Sequence, residues 1–264
     1  RMDPRAIESA IAEDRAKGLT PFAVVATVGT TSTTSIDPVP AIASICEREG
    51  LWLHVDAAYG GSAAVDPGMR FVLAGCERAD SMVINPHKWL FVPMDLSVLF
   101  TRRPETLKAA FSLVPEYLRT GEKSPNLMDY GVSLGRRFRA LKLWMVLRAF
   151  GAEGLARRIR AHVELAQRFR SWIEAEAFFR VTAPSPFSTV CFRALFEGKT
   201  PKEEDQANER LMNLVNGTGE VFLSHTELGG RMTLRIAVGN IRTEERHVRR
   251  AFELLRDGAR TLRS

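Results

Sequence analysis

The first charged stretch carries apolar residues at Ile7 and Ile11 and then meets Gly18 and Pro21, which predicts a helix that stops before a strand. Phe22-Ala-Val-Val-Ala-Thr27 is a short, unbroken apolar run, the pattern of a strand buried on both faces. Asp37-Pro38 with Val39, Ile42 and Ile45 starts a second helix that ends near Gly50. Leu51-Trp-Leu-His-Val55 is the next strand, closed by Asp56. A short helix over 70–76 and a third strand, Ser81-Met-Val-Ile-Asn85, follow. Helix and strand thus alternate three times, which argues for right-handed crossovers in a mostly parallel α/β sheet.

Beyond that point the pattern changes. Leu96-Ser-Val-Leu-Phe100 reads as a further strand, and the Pro, Gly, Lys and Ser content of 102–129 reads as a long exposed loop. Loops of such length in compact domains usually have a function. From Leu134 the apolar positions Phe138, Leu141 and Met145 keep helical spacing up to Gly151, and a second helix runs through Leu155, Ile159, Val163, Phe169 and Ile173. Strands near 188–193, 221–224 and 233–238 with helices near 203–216 and 244–262 complete a small α+β domain. No repeat or low-complexity segment interrupts the chain.

Composition narrows the class. The 264 residues, 45% hydrophobic and 26% charged, are those of an ordinary globular protein rather than a disordered or fibrous one. No apolar run reaches the roughly 18 residues that a membrane span needs, and no signal-like segment opens the chain, so the expected compartment is the cytoplasm. Three scattered cysteines, Cys46, Cys76 and Cys191, suggest neither a disulfide framework nor a metal site. The formal charge of +6 sits in runs at 136–139, 157–160 and 246–250, all within segments of helical spacing. Solvated helix faces account for them, and nucleic-acid binding is not expected.

Ligands of open α/β sheets bind outside the carboxyl ends of the strands, where the loops diverge. Three consecutive predicted strands end here in Gly29-Thr30-Thr31, in Asp56 and in Asn85-Pro86-His87-Lys88. A strand-end acid and a lysine in a neighbouring strand-end loop, with hydroxyl and amide groups close by, are what a pyridoxal phosphate site needs. The carboxylate keeps the ring nitrogen protonated, and the lysine amine holds the cofactor covalently. His54 lies two residues before Asp56 on the same strand face, where a core or supporting histidine fits as well as a direct ligand. Gly29-Thr30-Thr31 lacks the Gly-Lys-Ser/Thr ending of a P-loop, and Trp89 reads as packing.

His54-Val-Asp-Ala-Ala-Tyr-Gly-Gly61 together with Asn85-Pro-His-Lys-Trp89 closely resembles the group II pyridoxal-phosphate-dependent amino-acid decarboxylases, the family of aromatic L-amino-acid decarboxylase. Val28-Gly-Thr-Thr31, Ser35-Ile-Asp37, Leu134-Gly-Arg-Arg-Phe-Arg139 and Leu234-Arg-Ile-Ala237 extend the match along the chain. The resemblance implies an aspartate-aminotransferase-like fold (fold-type I). Residues 1–141 would be the C-terminal part of the cofactor-binding large domain and 142–264 a small C-terminal domain. It implies pyridoxal 5'-phosphate on Lys88 as a Schiff base, Asp56 at the pyridine nitrogen, and Ala58 packed on one ring face. Thr31 would lie near the ring hydroxyl, and Asn85 and His87 would help hold the phosphate. Tyr117 matches the tyrosine of the family's mobile catalytic loop, which reaches into a neighbouring subunit and so implies a homodimer; it would protonate Cα, with His87 the next candidate. Gly135 matches a position where a small residue leaves room for a large aromatic substrate.

The expected reaction is decarboxylation of an L-amino acid, aromatic by preference, to its amine. The rivals are an aldehyde synthase, where phenylalanine is expected at the Tyr117 position, an acidic-amino-acid decarboxylase, a more distant fold-type I aminotransferase or desulfurase, and a non-catalytic remnant. Family members are expected to be longer, with the dimer-forming helices, a phosphate-binding serine turn and a ring-stacking histidine upstream of the segment present here.

Overall fold

The computed structural model describes residues 1–112 and 126–263. Helix α1 (Pro4–Ala16) is capped by Asp3, whose carboxylate accepts the Arg5 N–H, and Pro4 supplies a first-turn residue that has no donor to lose. Strand β1 (Ala23–Thr27), helix α2 (Val39–Glu49) and strand β2 (Trp52–Asp56) follow as expected. Gly50, at φ 68°, turns the chain from α2 into β2 in the left-handed region that glycine enters without strain. Strand β3 (Ser81–Ile84), a single turn of helix α3 (Pro86–Trp89) and strand β4 (Val98–Thr101) complete the first sheet.

Its order is β1-β2-β3-β4, with the first three strands parallel and β4 antiparallel at the edge. Thr27 pairs with Asp56 and Asp56 with Val83, so the carboxyl ends of the three parallel strands lie level. Val28, Ile42, Leu53, Val55 and Trp89 are fully buried in the core that packs α1 and α2 against this sheet.

Two expectations fail in the connections. No α-helix forms over 70–76; the link from β2 to β3 is instead three 3₁₀ turns, Gly60–Val65, Pro67–Leu73 and Cys76–Arg78. Pro67, Gly68 and Gly75 break the segment, and Asp66 fixes it by accepting the Gly68 N–H and a two-pronged contact from Arg160 at 2.7 and 3.2 Å. The expected loop over 102–129 also contains structure: Pro104 opens helix α4 (Pro104–Phe111), and Leu127–Tyr130 forms a 3₁₀ turn. Proline ends a helix from within but starts one at its first position, so Pro104 reads either way in sequence.

Helix α5 (Ala140–Ala175) carries the expected break at Gly151, whose φ of 61° and ψ of 174° interrupt it. It begins six residues later than its apolar spacing suggests. Arg137 and Arg139 both reach Asp95, tying the preceding stretch to another loop instead of to a helix. Ile159 of α5 is buried with the first core, whereas Leu165, Phe169 and Ile173 are buried in the second.

That second core lies under an antiparallel sheet of order β5-β6-β8-β7, built from β5 (Phe179–Val181), β6 (Thr189–Ala194), β7 (Ser224–Leu228) and β8 (Arg231–Ala237). Helix α6 (Pro201–Gly217) starts with a reciprocal cap between Thr200 and Glu203, and α7 (Glu245–Arg263) closes the chain. The strand expected at 221–224 is displaced to Ser224–Leu228, because the polar Ser-His-Thr-Glu segment pairs along β8. Strand β5 is an addition. The basic runs are largely paired: Arg160 with Asp66, Arg246 with Glu244, Arg249 with Glu245 and Arg250 with Glu220. Among the described residues no helix is long and apolar enough to cross a membrane, and no cluster could hold a metal ion. The three thiols are free, and burial pushes that of Cys76 up to about 11.

Candidate active site

The level ends of β1, β2 and β3 place the candidate residues side by side. Asp56 closes the middle strand. Its backbone oxygen accepts the Val28 N–H at 2.8 Å, while Ala57 N–H donates to Val83 and Asn85 N–H donates to Ala58, so all three loop origins are laced together. The Asp56 side chain uses Oδ1 to accept the Ala58 N–H at 3.0 Å. Among the described residues Oδ2 has no hydrogen-bond partner. Trp52, His54 and Asp56 share one half-buried face of β2, with Leu53 and Val55 buried on the other.

Asn85 leaves β3 and starts the single turn of α3, in which Lys88 N–H donates to Asn85 O at 2.9 Å. The Asn85 Oδ1 is buried and has no partner among the described residues. The Lys88 side chain is exposed and takes part in no ion pair among the described residues. The His87 ring is anchored through Nδ1, which accepts the Leu96 N–H at 3.0 Å and lies 2.5 Å from Leu96 O. Its Nε2 is left facing away from that anchor. Thr31 is exposed at the turn after β1, where Ser35 O accepts the N–H groups of Gly29 and Thr30. Ala58 is buried beside Asp56.

Gly60 permits this closeness. A Cβ there would sit 2.6 Å from Val28 O, so only glycine lets the loop after β2 lie on the loop after β1. Behind the site, Tyr59 stacks on Trp89, and the edge of Phe187 meets both rings. Tyr59 Oη lies 2.7 Å from Ser188 Oγ, and Trp89 Nε1 donates to His162 Nδ1 at 3.1 Å. Burial pushes the Tyr59 hydroxyl up and His162 down from their ordinary values. Tyr117 lies outside the described residues.

Residues 1–195 match the model of the pyridoxal-dependent decarboxylase conserved domain. The chain belongs to this family. Within it the chain falls in the group II aromatic amino-acid decarboxylases. It is 42% identical over 266 residues to a tryptophan decarboxylase of Camptotheca acuminata, a match that covers 99% of this chain and 53% of that one. It is 45% identical over 266 residues to a tyrosine decarboxylase of Arabidopsis thaliana, covering 98% and 48%. The crystal structure of an Oryza sativa tryptophan decarboxylase with pyridoxal phosphate and tryptamine superposes with a TM-score of 0.95 at 40% identity, over 100% of this chain and 55% of that one. A 4-hydroxyphenylacetaldehyde synthase of Rhodiola rosea gives 0.92 at 34%, over 100% and 55%. The chain spans about half the length of the curated relatives it matches.

The family uses pyridoxal phosphate, and the residues present suit that group. Among the described residues, an orphaned amide oxygen at Asn85, a carboxylate with one oxygen to spare and a lysine without an ion pair lie at the carboxyl ends of the strands. Sequence reading passed over Ser81, whose hydroxyl is shared by Trp52 Nε1 at 2.9 Å and His54 Nδ1 at 2.8 Å. The pairing of His54 with Ser81 depends on the register of two strands, which no local pattern reveals.

Proposed function

We propose that this chain carries the cofactor-holding part of a fold-type I decarboxylase that converts an L-amino acid, aromatic in its side chain, to the amine and carbon dioxide. One observation carries the reading: Asp56, Asn85 and Lys88 stand at the level carboxyl ends of adjacent strands with polar atoms uncommitted. The division into a large-domain portion over 1–141 and a small domain over 142–264 belongs to the same reading.

When bound, pyridoxal phosphate supplies a protonated ring, joined to the substrate nitrogen, that takes up the electron pair of the breaking bond. Lys88 holds the cofactor through its amine and yields that place to the substrate amine. Asp56 keeps the ring nitrogen protonated, with Ala58 against the ring face and Thr31 near its hydroxyl. Asn85 and His87 hold the phosphate. Tyr117 delivers a proton to Cα, and His87 is the alternative donor. Gly135 leaves room for the substrate ring; a Cβ there would meet nothing within 4 Å among the described residues.

A homodimer fits the exposed apolar side chains Leu134, Phe138 and Trp144 around the start of α5. The likeness to aldehyde synthases keeps a second outcome in play, decarboxylation coupled to oxidation, and Tyr117 favours the amine. Borohydride reduction in the presence of pyridoxal phosphate, followed by peptide mapping, tests the assignment. A pyridoxyl label on Lys88 is expected, with loss of turnover in Lys88→Ala; a label on another lysine overturns it. Asp56→Asn should lower turnover about a thousandfold, roughly 4 kcal/mol of barrier.

A further inference from the structure

We propose that Trp52 and Ser81 lock His54 into the tautomer protonated at Nε2, so that His54 acts as a positioning residue for the Asp56 carboxylate. The three side chains come from facing positions of β2 and β3, where His54 pairs with Ser81. Ser81 is buried, and its hydroxyl lies 2.9 Å from Trp52 Nε1 and 2.8 Å from His54 Nδ1.

Proton bookkeeping at that hydroxyl decides the tautomer. An indole N–H only donates, so Trp52 occupies one of the two lone pairs of Ser81 Oγ. The single hydroxyl hydrogen then has one acceptor within reach among the described residues, His54 Nδ1. If Nδ1 carried the hydrogen instead, the Ser81 O–H would be buried with nothing to donate to, which costs more than a hydrogen bond is worth. A neutral His54 with Nδ1 accepting therefore carries its hydrogen on Nε2. Trp52 is itself held in place: Arg103 sits over the indole at 5.6 Å and pairs with Asp80 at 3.2 Å, while Asp80 accepts the Leu53 N–H.

The nearest carboxylate in the same strand face is Asp56, two residues on. Asp56 Oδ1 is taken by Ala58 N–H, so the His54 N–H adds a fixed dipole beside a carboxylate that has one oxygen free. Burial holds His54 below its ordinary value, against the pull of Asp56, in keeping with a neutral ring. The role toward Asp56 rests on the proposed function; the tautomer does not.

The test reads the ring nitrogens directly. With five histidines in the chain, His54→Gln identifies the His54 signals in ¹⁵N-labelled protein. At neutral pH the two-bond proton–nitrogen correlations should give one tautomer, protonated at Nε2, in the wild type. Ser81→Ala should lose that single pattern and Ser81→Thr should restore it. An Nδ1-protonated wild type, or an unchanged pattern in Ser81→Ala, overturns the lock. Pyridoxal phosphate affinity, followed by absorbance, tests the role toward Asp56. His54→Leu should weaken it severalfold, as removal of an oriented dipole beside a charged group does, and His54→Gln should recover part of it. Equal affinity in all three overturns that role. Failure of the wild type to bind the cofactor instead sinks the proposed function and leaves the tautomer result standing.

Discussion

Tyr59 and Trp89 stack with ring centroids 4.9 Å apart and planes within 8° of parallel. Tyr59 comes from the loop after β2 and Trp89 from the turn after β3, so the stack joins the segment that carries Asp56 to the segment that carries Lys88. Trp89 Nε1 then reaches His162 on α5, and the edge of Phe187 closes the group. The distance between acid and lysine is thus held by a buried aromatic cluster.

Trp89→Phe keeps a ring in the stack but removes the donor to His162 Nδ1. It should lower stability by about 1–3 kcal/mol, the cost of leaving a buried polar atom unpaired and part of an indole unfilled. Denaturant midpoints of the two proteins measure it, and an unchanged midpoint would mean that the bond contributes nothing.

Gly60→Ala should cost about as much or more, since the added methyl would meet the Val28 backbone at 2.6 Å and the Phe187 ring at 2.8 Å. Among the described residues nothing crowds Gly135, so Gly135→Ser should leave the melting temperature unchanged and, if the substrate ring passes there, shift the preference among aromatic amino acids. Thermal melts with a substrate panel separate the two effects.

Stability should fall as the solution is acidified. His162 has an ordinary value of 6.5 and burial holds it lower in the folded chain. Above 6.5 the ring is neutral in both states; below it the unfolded chain takes up a proton that the folded chain refuses. His54 shifts in the same direction and adds to the effect. Asp66, held below 3.8 by Arg160, gives up its contribution only at lower pH. Melting temperatures at about pH 7.5 and about pH 5 should differ less in His162→Gln than in the wild type; an equal difference would place the sensitivity elsewhere.

The first sheet was legible because its strands are apolar runs that end in recognisable groups. Thr27, Asp56 and Asn85 mark the three carboxyl ends, and the acid, amide and lysine follow from them. Segments set by tertiary contacts were not legible. The late start of α5 depends on Arg137 and Arg139 finding Asp95, more than forty residues away. The polar β7 exists because β8 offers it a ladder. Ser81 looks like the ordinary first residue of a strand until the register of β2 and β3 sets it against His54.

In the proposed reaction, Tyr117 would decide the fate of the electron pair left at Cα after carbon dioxide departs. A phenol is a weak acid that can give up one proton and recover it from water, which completes the amine. Tyr117→Phe removes that proton without changing the shape of the ring. The variant should still release carbon dioxide but lose most of its amine. The electron pair left at Cα would then pass to dissolved oxygen, and hydrolysis by water would complete the change to aldehyde, ammonia and hydrogen peroxide. Relatives that are aldehyde synthases, such as the Rhodiola rosea enzyme, make that outcome chemically accessible on this fold. Carbon dioxide, amine and peroxide measured together in one reaction decide the matter. Undiminished amine with no peroxide would assign the proton to another group, and His87→Gln would be the variant to examine next.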